Sequence, residues 1–260
     1  MGAQATIHHR LDLALRLLDS VTGKVIEERN TRFFTQSPAK TAIPRGGGLY
    51  LFLNSGREDF DMEIHVYGYE PRTVRITYPE QEENMPVRDV YLIPLDNPVL
   101  ENVLTLRGNL PGIEEIEAVS LTDANCCIKE FDARKRIMTI LNQKNIRFHH
   151  THYGLLNRER TAYEHFELEK EISLQSIKCK KRLEQEVFIN TPIVRVIFGQ
   201  TNEQGDYVLK VRNDEIAQYL VRFVVNGNTF YQKVDFRQEG NFLEWQEEAE
   251  KEMLSGAGTR

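Results

Sequence analysis

The chain has little of several features that would mark a chemical activity. Its 260 residues include only three cysteines and one tryptophan. Cys126 and Cys127 are adjacent and Cys179 stands apart, so the cysteines make a poor disulfide framework and form no CxxC pair. We therefore expect reduced, buried thiols of the kind found in cytoplasmic proteins.

The chain also has no excess of positive charge and no long apolar run. Its formal net charge is −6, which disfavours nucleic acid as a partner because phosphate binding usually leaves a basic footprint. A run of roughly eighteen apolar residues, as a membrane helix needs, does not occur. Arg10, Asp12 and Arg16 interrupt the N-terminal apolar stretch, which is unlike a secretory signal. These features predict a cytoplasmic protein without a membrane span.

What the sequence does contain is a series of short segments in which apolar residues recur at about every second position. This period of two is typical of half-buried strands, and it begins at Leu11, Leu13, Leu15 and Leu17. Short alternating segments divided by glycine, proline and an Asn226-Gly227 turn predict an all-β fold. The charge-rich span from Asn157 to Lys170 follows no single period, and we predict a loop or a short helix there.

The pattern predicts two β-sandwich domains in tandem, joined at the stiff stretch Pro94–Pro98 ("PLDNP"). The first domain covers residues 1–97, and a second β-rich, sandwich-like domain covers residues 98–245. Residues 246–260 then form a charged tail, for which we expect a helical turn or two and a frayed end.

Two parts of the chain have similar sequences. Gly48–Leu51 ("GLYL") matches Gly205–Val208 ("GDYV"), and further along Glu63–Gly68 matches Arg222–Gly227. In each case a turn glycine precedes a strand, and a polar loop then leads to a hairpin whose turn contains another glycine. The sequence leaves open whether the second domain duplicates the first.

The first domain contains "TGKV" at Thr22–Val25, "GLYLF" at Gly48–Phe52 and "HVYGYEP" at His65–Pro71. On these segments, residues 7–95 resemble the carboxypeptidase-regulatory-like family, whose members are Ig-like, transthyretin-like (prealbumin-like) β-sandwiches. The resemblance implies a sandwich fold and a role as an accessory or assembly module. It implies no peptidase activity, because the catalytic domain in that family is a separate unit. Modules of this kind also occur in bacterial surface proteins and in phage-tail-like contractile particles.

The stretch "RFHHTHYG" is the sharpest local feature. In a strand, His150 and His152 share one face and His149 points to the other. Two imidazoles at this spacing can ligate one metal ion, with His165 or Glu164 as a further ligand. An incidental group of histidines on a polar strand explains the same residues. Without an HExxH or CxxC motif to support a metal site, we predict no metal and no cofactor.

Two other runs of one residue type have structural explanations. "PRGGGLY", Pro44–Tyr50, lacks the GxxxxGK[ST] pattern of a phosphate-binding loop and precedes a strand, so it predicts a hairpin loop. "KCKKR", Lys178–Arg182, lies among glutamates, so we expect cross-strand ion pairs or a solvated face there. The chain also has no GxSxG nucleophile motif, and a thiol in an apolar strand is inert. We predict that the protein is not an enzyme.

The remaining function is structural. We predict a non-catalytic protein that docks protein partners, or copies of itself, in a larger assembly such as a phage-tail-like particle. Its contacts would come from aromatic side chains near turns, although core packing explains the same residues: Tyr67, Tyr69, Phe230 and Tyr231.

Two alternative functions remain open. One is a carbohydrate- or small-ligand-binding sandwich, which would need an aromatic platform and has a single tryptophan, Trp245, in the acidic tail. The other is a metal-dependent hydrolase built around the histidines His149, His150 and His152.

Overall fold

A computed structural model describes residues 10–27, 30–35, 40–54, 56–78, 87–95, 103–122, 126–148, 151–184, 187–212 and 218–235. These residues form nineteen β-strands and no helix, which confirms the predicted all-β class. The chain divides into two compact units, Met1–Val99 and Leu100–Arg260. The tail at residues 246–260 lies outside the described residues.

The first unit is built from two sheets. Its strands are β1 (Leu11–Asp19), β2 (Arg32–Thr35), β3 (Ala42–Pro44), β4 (Leu49–Leu53), β5 (Phe60–His65), β6 (Arg72–Ile76) and β7 (Val87–Leu92). One sheet has the order β3-β4-β1-β7 and the other the order β2-β5-β6. Neighbouring strands are antiparallel, except that β7 runs parallel to β1.

One apolar core lies between the two sheets of the first unit. Leu13, Leu15 and Leu17 of β1 are fully buried there with Met62 and Ile64 of β5. Burying each of these side chains contributes about 1.5–3 kcal/mol relative to leaving it exposed. The leucine alternation in β1 therefore contributes directly to the packing of the two sheets.

The second unit contains twelve described strands. They are β8 (Val103–Asn109), β9 (Ile113–Ser120), β10 (Cys126–Asp132), β11 (Ile137–Asn142), β12 (His152–Leu156), β13 (Tyr163–Ser173), β14 (Ser176–Cys179), β15 (Pro192–Phe198), β16 (Gln200–Thr201), β17 (Asp206–Arg212), β18 (Gln218–Val225) and β19 (Asn228–Asp235). A four-strand section, β15-β9-β18-β19, packs on the sheet β16-β17-β8 around a shared core.

Six strands of the second unit close into a ring, which we call the closed sheet. Its order is β10-β11-β14-β13-β12-β15, and β10 pairs with β15 to complete the circuit. Its interior holds apolar side chains such as Met138, Phe166 and Ile177. The sequence predicted only a sandwich-like domain here and did not reveal the closed sheet.

The prediction of a loop or short helix over Asn157–Lys170 is wrong, because β13 occupies most of this span. β13 pairs with β12 on one side and β14 on the other. Charged side chains obscured its period, yet they are satisfied across strands: Lys178 Nζ lies 2.7 Å from Glu169, and Lys180 Nζ lies 2.6 Å from Glu167. These contacts also match the ion pairs expected for the "KCKKR" run.

Six strands of each unit share one order when the closed sheet and β7 are set aside. The order β3-β4-β1 in the first unit recurs as β16-β17-β8, and the order β2-β5-β6 recurs as β9-β18-β19. The chain order of these strands is also the same in both units. The arrangement of β1 to β6 therefore recurs in the second unit, where β7 has no described counterpart and the strands of the closed sheet are added between β9 and β16.

Hydrogen bonds around the repeated glycine agree with this equivalence. The Leu17 N–H donates to the Gly48 carbonyl at 3.0 Å, and the Leu110 N–H donates to the Gly205 carbonyl at 2.8 Å. Gly48 and Gly205 both have positive φ, at 62° and 87°. Their repeated "GxY" sequence thus marks one turn that is used twice.

Candidate functional site

The structure brings together two of the histidines that the sequence singled out. His152 opens β12 and His165 lies on the neighbouring strand β13. The Nδ1 atom of His152 is 2.9 Å from the Nε2 atom of His165. Tyr153 and Phe166, the next residues along these strands, belong to the core inside the closed sheet. The two imidazoles therefore lie on its outer face.

A buried carboxylate completes this group. Oε1 of Glu117, on β9, lies 3.3 Å from Nδ1 of His165, and the side chain of Glu117 is only 4% exposed. The Tyr163 hydroxyl donates to Glu117 at 3.0 Å, and an Arg222 nitrogen lies 3.1 Å from it. We call these five residues the histidine–glutamate cluster. It joins the closed sheet to the section β15-β9-β18-β19.

The electrostatics of the cluster fix the charge of its buried members. Burial acts to raise the pKa of Glu117, but the hydrogen bond and charge of His165, the charge of Arg222 and the Tyr163 hydroxyl outweigh it and lower this pKa. Burial, together with the charge and hydrogen bond of Glu117, raises the pKa of Tyr163 well above its ordinary value. At neutral pH the carboxylate is ionised and the phenol keeps its proton.

The geometry also determines where hydrogens lie when both imidazoles are neutral. A carboxylate only accepts, so the Nδ1 atom of His165 carries the hydrogen that faces Glu117. The Nε2 atom of His165 is then an acceptor for the Nδ1–H of His152. A chain of hydrogen bonds runs from His152 through His165 to Glu117. This arrangement holds each ring in a fixed tautomer.

The hydrogen bond accounts for the short distance between the imidazoles of His152 and His165, so this distance does not require a metal ion. In a zinc site each imidazole nitrogen would bind the metal at about 2.0–2.1 Å, and the two nitrogens would not bond each other. Among the described residues, no group of three or more His, Cys, Asp or Glu side chains could hold a metal. His149 and His150 lie outside the described residues, so the absence of a metal site stays a prediction.

The aromatic residues predicted as contacts in the first unit differ in exposure. Tyr67, in the turn after β5, is 81% exposed. Tyr69 packs against the core, and its hydroxyl donates to Asp19 at 3.1 Å. Tyr67 is therefore available to a partner, whereas Tyr69 has a structural role.

The predicted aromatic contacts in the second unit are partly buried. Phe230 packs on the core between β15-β9-β18-β19 and β16-β17-β8. Tyr231 packs beside Tyr163 and donates its hydroxyl hydrogen to the Tyr163 carbonyl at 2.8 Å. Both side chains are explained by packing within the second unit.

The thiols of Cys126 and Cys179 are buried in the closed sheet. Burial raises the pKa of both, that of Cys179 to about 12. Since the thiolate is the reactive form, both groups are less reactive at neutral pH than an exposed thiol.

A small pocket lies beside the closed sheet, with a volume of about 260 Å³. Ligand pockets usually hold about 300–1,000 Å³. Two of its charged lining residues have partners within the chain, because Arg158 lies over the ring of Phe188 at 4.2 Å and Glu164 accepts the Glu184 N–H at 2.6 Å. The pocket therefore offers a substrate less room than a typical ligand site.

The chain matches no protein-family model and no curated protein. No helix in the described part of the chain is long and apolar enough to cross a membrane. Function must therefore be inferred from the fold and the side chains themselves.

Sequence reasoning missed three members of the cluster: Glu117, Tyr163 and Arg222. Glu117 carries a signal in retrospect, because it stands next to Ala118 and Val119 in a run that becomes buried on both faces. Nothing in the sequence shows which partners compensate its charge, since they come from strands far away in the chain.

Proposed function

We propose that the protein is a non-catalytic structural component that docks partner proteins in a larger assembly. The observation that carries the proposal is the repetition of one two-sheet fold along the chain. In addition, the polar side chains of the histidine–glutamate cluster form hydrogen bonds and ion pairs with each other. Within this cluster, Glu117 is contacted by three side chains, those of His165, Tyr163 and Arg222. Repeated β folds supply rigid surfaces, whereas an active site needs polar groups directed at a substrate.

The finer assignment of the fold belongs to this proposal. We take both units as Ig-like, transthyretin-like sandwiches in tandem, the first of the carboxypeptidase-regulatory-like kind. The recurring strand order supports this, as do the family-like residues Thr22–Val25, Gly48–Phe52 and His65–Pro71. A phage-tail-like particle is the assembly that fits this resemblance.

The hairpin after β5 offers one docking contact. Tyr67 projects from its turn, and Leu95, another exposed apolar residue, donates its N–H to the neighbouring Gly68 carbonyl at 2.9 Å. Exposed aromatic and aliphatic side chains that adjoin each other are typical of protein contact surfaces.

The test is native isolation of the tagged full-length chain from its own source, followed by size-exclusion chromatography with light scattering at several concentrations. We expect a complex of fixed stoichiometry and a mass well above the 30.3 kDa of the chain. Tyr67→Ala should weaken the complex, whereas Tyr231→Phe, which changes a packed residue, should leave it intact. A strict monomer in the native extract at every concentration would contradict the proposal.

A further inference from the structure

The repeated fold shows what can occupy a strand edge of the first unit. β2 and β9 are equivalent strands in the orders β2-β5-β6 and β9-β18-β19. On its other side β9 pairs with β15, whereas β2 pairs only with β5 among the described residues. Within the second unit β15 thus fills the position beside β9, whereas no described strand fills the equivalent position beside β2.

The pairing registers align the two strands residue by residue. Phe33 of β2 lies opposite Ile64, and Ile116 of β9 lies opposite Phe223. Ile64 and Phe223 are the matched residues of the repeated hairpin segments, so Phe33 corresponds to Ile116. Phe34 therefore corresponds to Glu117, and Thr35 to Ala118.

This alignment shows which backbone groups of β2 point toward the open edge. The Gly199 N–H, at the end of β15, donates to the Ile116 carbonyl at 2.9 Å. In an antiparallel pair the N–H and C=O of one residue point to the same side, and alternate residues share that side. Phe33 and Thr35 accordingly direct their N–H and C=O groups away from β5.

The side chains at this edge suit an added strand. Phe34 is 48% exposed, and its ring lies edge-on to His65 at 4.9 Å. The equivalent position, Glu117, has Phe198 of β15 directly opposite. An added strand would place an apolar side chain against Phe34 and, two residues along, a carboxylate near the exposed Arg32.

We propose that the outer edge of β2 accepts an extended segment of a partner protein, antiparallel to β2, in the position that β15 takes on β9. Main-chain hydrogen bonds to Phe33 and Thr35 supply the affinity, and the side chains opposite Arg32 and Phe34 supply the specificity. This inference rests on the proposed docking function and names the surface that performs it.

Hydrogen exchange on the purified full-length chain tests the edge itself. We expect the Phe33 and Thr35 amides to exchange quickly, and the Arg32 and Phe34 amides, which face β5, to be protected. In the native complex Phe33 and Thr35 should become protected as well. Equal protection of all four amides in the purified chain would mean that the chain covers its own edge, and would overturn the proposal.

A matched pair of variants tests the docking. Thr35→Pro removes the N–H that points outward and is compatible with an edge strand. Thr35→Ala keeps that N–H, and both variants lose the 3.1 Å hydrogen bond that the Lys40 N–H donates to the Thr35 hydroxyl. We expect Thr35→Pro to weaken the native complex by about tenfold or more, because the ring also excludes the incoming strand, and Thr35→Ala to keep it.

The outcomes separate this inference from the function on which it rests. A complex that persists with Thr35→Pro overturns the assignment to β2 and leaves the docking function in place. A complex missing for the unaltered chain removes both. If the purified chain self-associates and Thr35→Pro abolishes this, the occupant is a second copy, and the assignment to a different protein is wrong.

Discussion

His152 and His165 share one hydrogen across the 2.9 Å between Nδ1 of the first and Nε2 of the second. The contact exists because neighbouring strands of the closed sheet place both rings on its outer face. Phe198 lies edge-on to His152, with 5.1 Å between ring centroids, and so shields one side of the pair.

The first prediction concerns the tautomers of this pair. When both rings are neutral, His165 should carry its hydrogen on Nδ1, facing Glu117, and His152 should carry its hydrogen on Nδ1, facing His165. Nitrogen-15 NMR of the two rings at mildly alkaline pH measures this. A hydrogen on Nε2 of His165 instead would contradict the proposed chain of hydrogen bonds.

The second prediction concerns the pH dependence of stability in the second unit. The pKa of Glu117 is lower in the folded chain than its ordinary value. Its contribution should therefore be present above the ordinary carboxyl range, near pH 4.3, and be lost as the pH falls through the lower folded value. Glu117→Gln should remove this part of the pH dependence, and at neutral pH it should cost about 3 kcal/mol because Arg222 and His165 lose their buried partner.

Urea unfolding from about pH 3 to pH 7, followed by NMR signals of the second unit, gives both quantities. Glu115→Gln is the matched control, because Glu115 also contacts Arg222, at 3.0 Å, but is 56% exposed. The control should change stability by less than about 1 kcal/mol. Similar pH profiles for Glu117→Gln and the unaltered chain would refute the role given to this carboxylate.

The third prediction uses the repeated turn. A Cβ at Gly48 would lie 2.9 Å from the Ile26 carbonyl oxygen, and a Cβ at Gly205 would lie 2.8 Å from that of Leu110. Gly48→Ala and Gly205→Ala should each destabilise their own unit by about 2 kcal/mol or more, since backbone contact adds to the positive φ.

Gly46→Ala and Gly227→Ala are the controls for this pair. Both positions have positive φ but no atom within 4 Å of an added Cβ. Each should cost about 1 kcal/mol, from the backbone conformation alone. Thermal unfolding of the four variants measures how much each substitution destabilises the protein. If the two variants of the same structural unit lose equal stability, the close backbone contact has no part in the turn.

The fourth prediction concerns thiol reactivity. Burial raises the pKa of Cys126 and Cys179, whereas Cys127 is only partly buried. In the folded chain an alkylating reagent should modify Cys127 first, and the other two only after denaturant is added. Peptide mass spectrometry after timed quenching follows the order, and early modification of Cys179 would mean that the closed sheet opens readily.

How far the sequence predicts this fold depends on whether the signal is local. The leucines of β1 and the Asn226-Gly227 turn each carry their pattern within a few residues, and the structure contains both the strand and the hairpin of β18 and β19. The closed sheet depends on pairings between distant segments, such as Cys126 with Ile193, which no short pattern specifies.

The same limit applies to the histidine–glutamate cluster. The sequence singled out His150 and His152 in a histidine-rich stretch, with His165 as a candidate further ligand, and it predicted no metal. The structure shows a hydrogen bond between His152 and His165. Glu117 reaches His165 from β9, and Arg222 reaches Glu117 from β18, so only the folded chain identifies the groups around the pair.

The addition between β9 and β16 shows that the host fold accommodates a whole extra module at one connection. β9 keeps its pairing with β18, and β16 keeps its pairing with β17, although six strands lie between them in the chain. The matching connection of the first unit, from Thr35 to Ala42, is therefore the natural place to graft a foreign domain. A sensor or tag joined there should leave the strand pairing of the first unit intact.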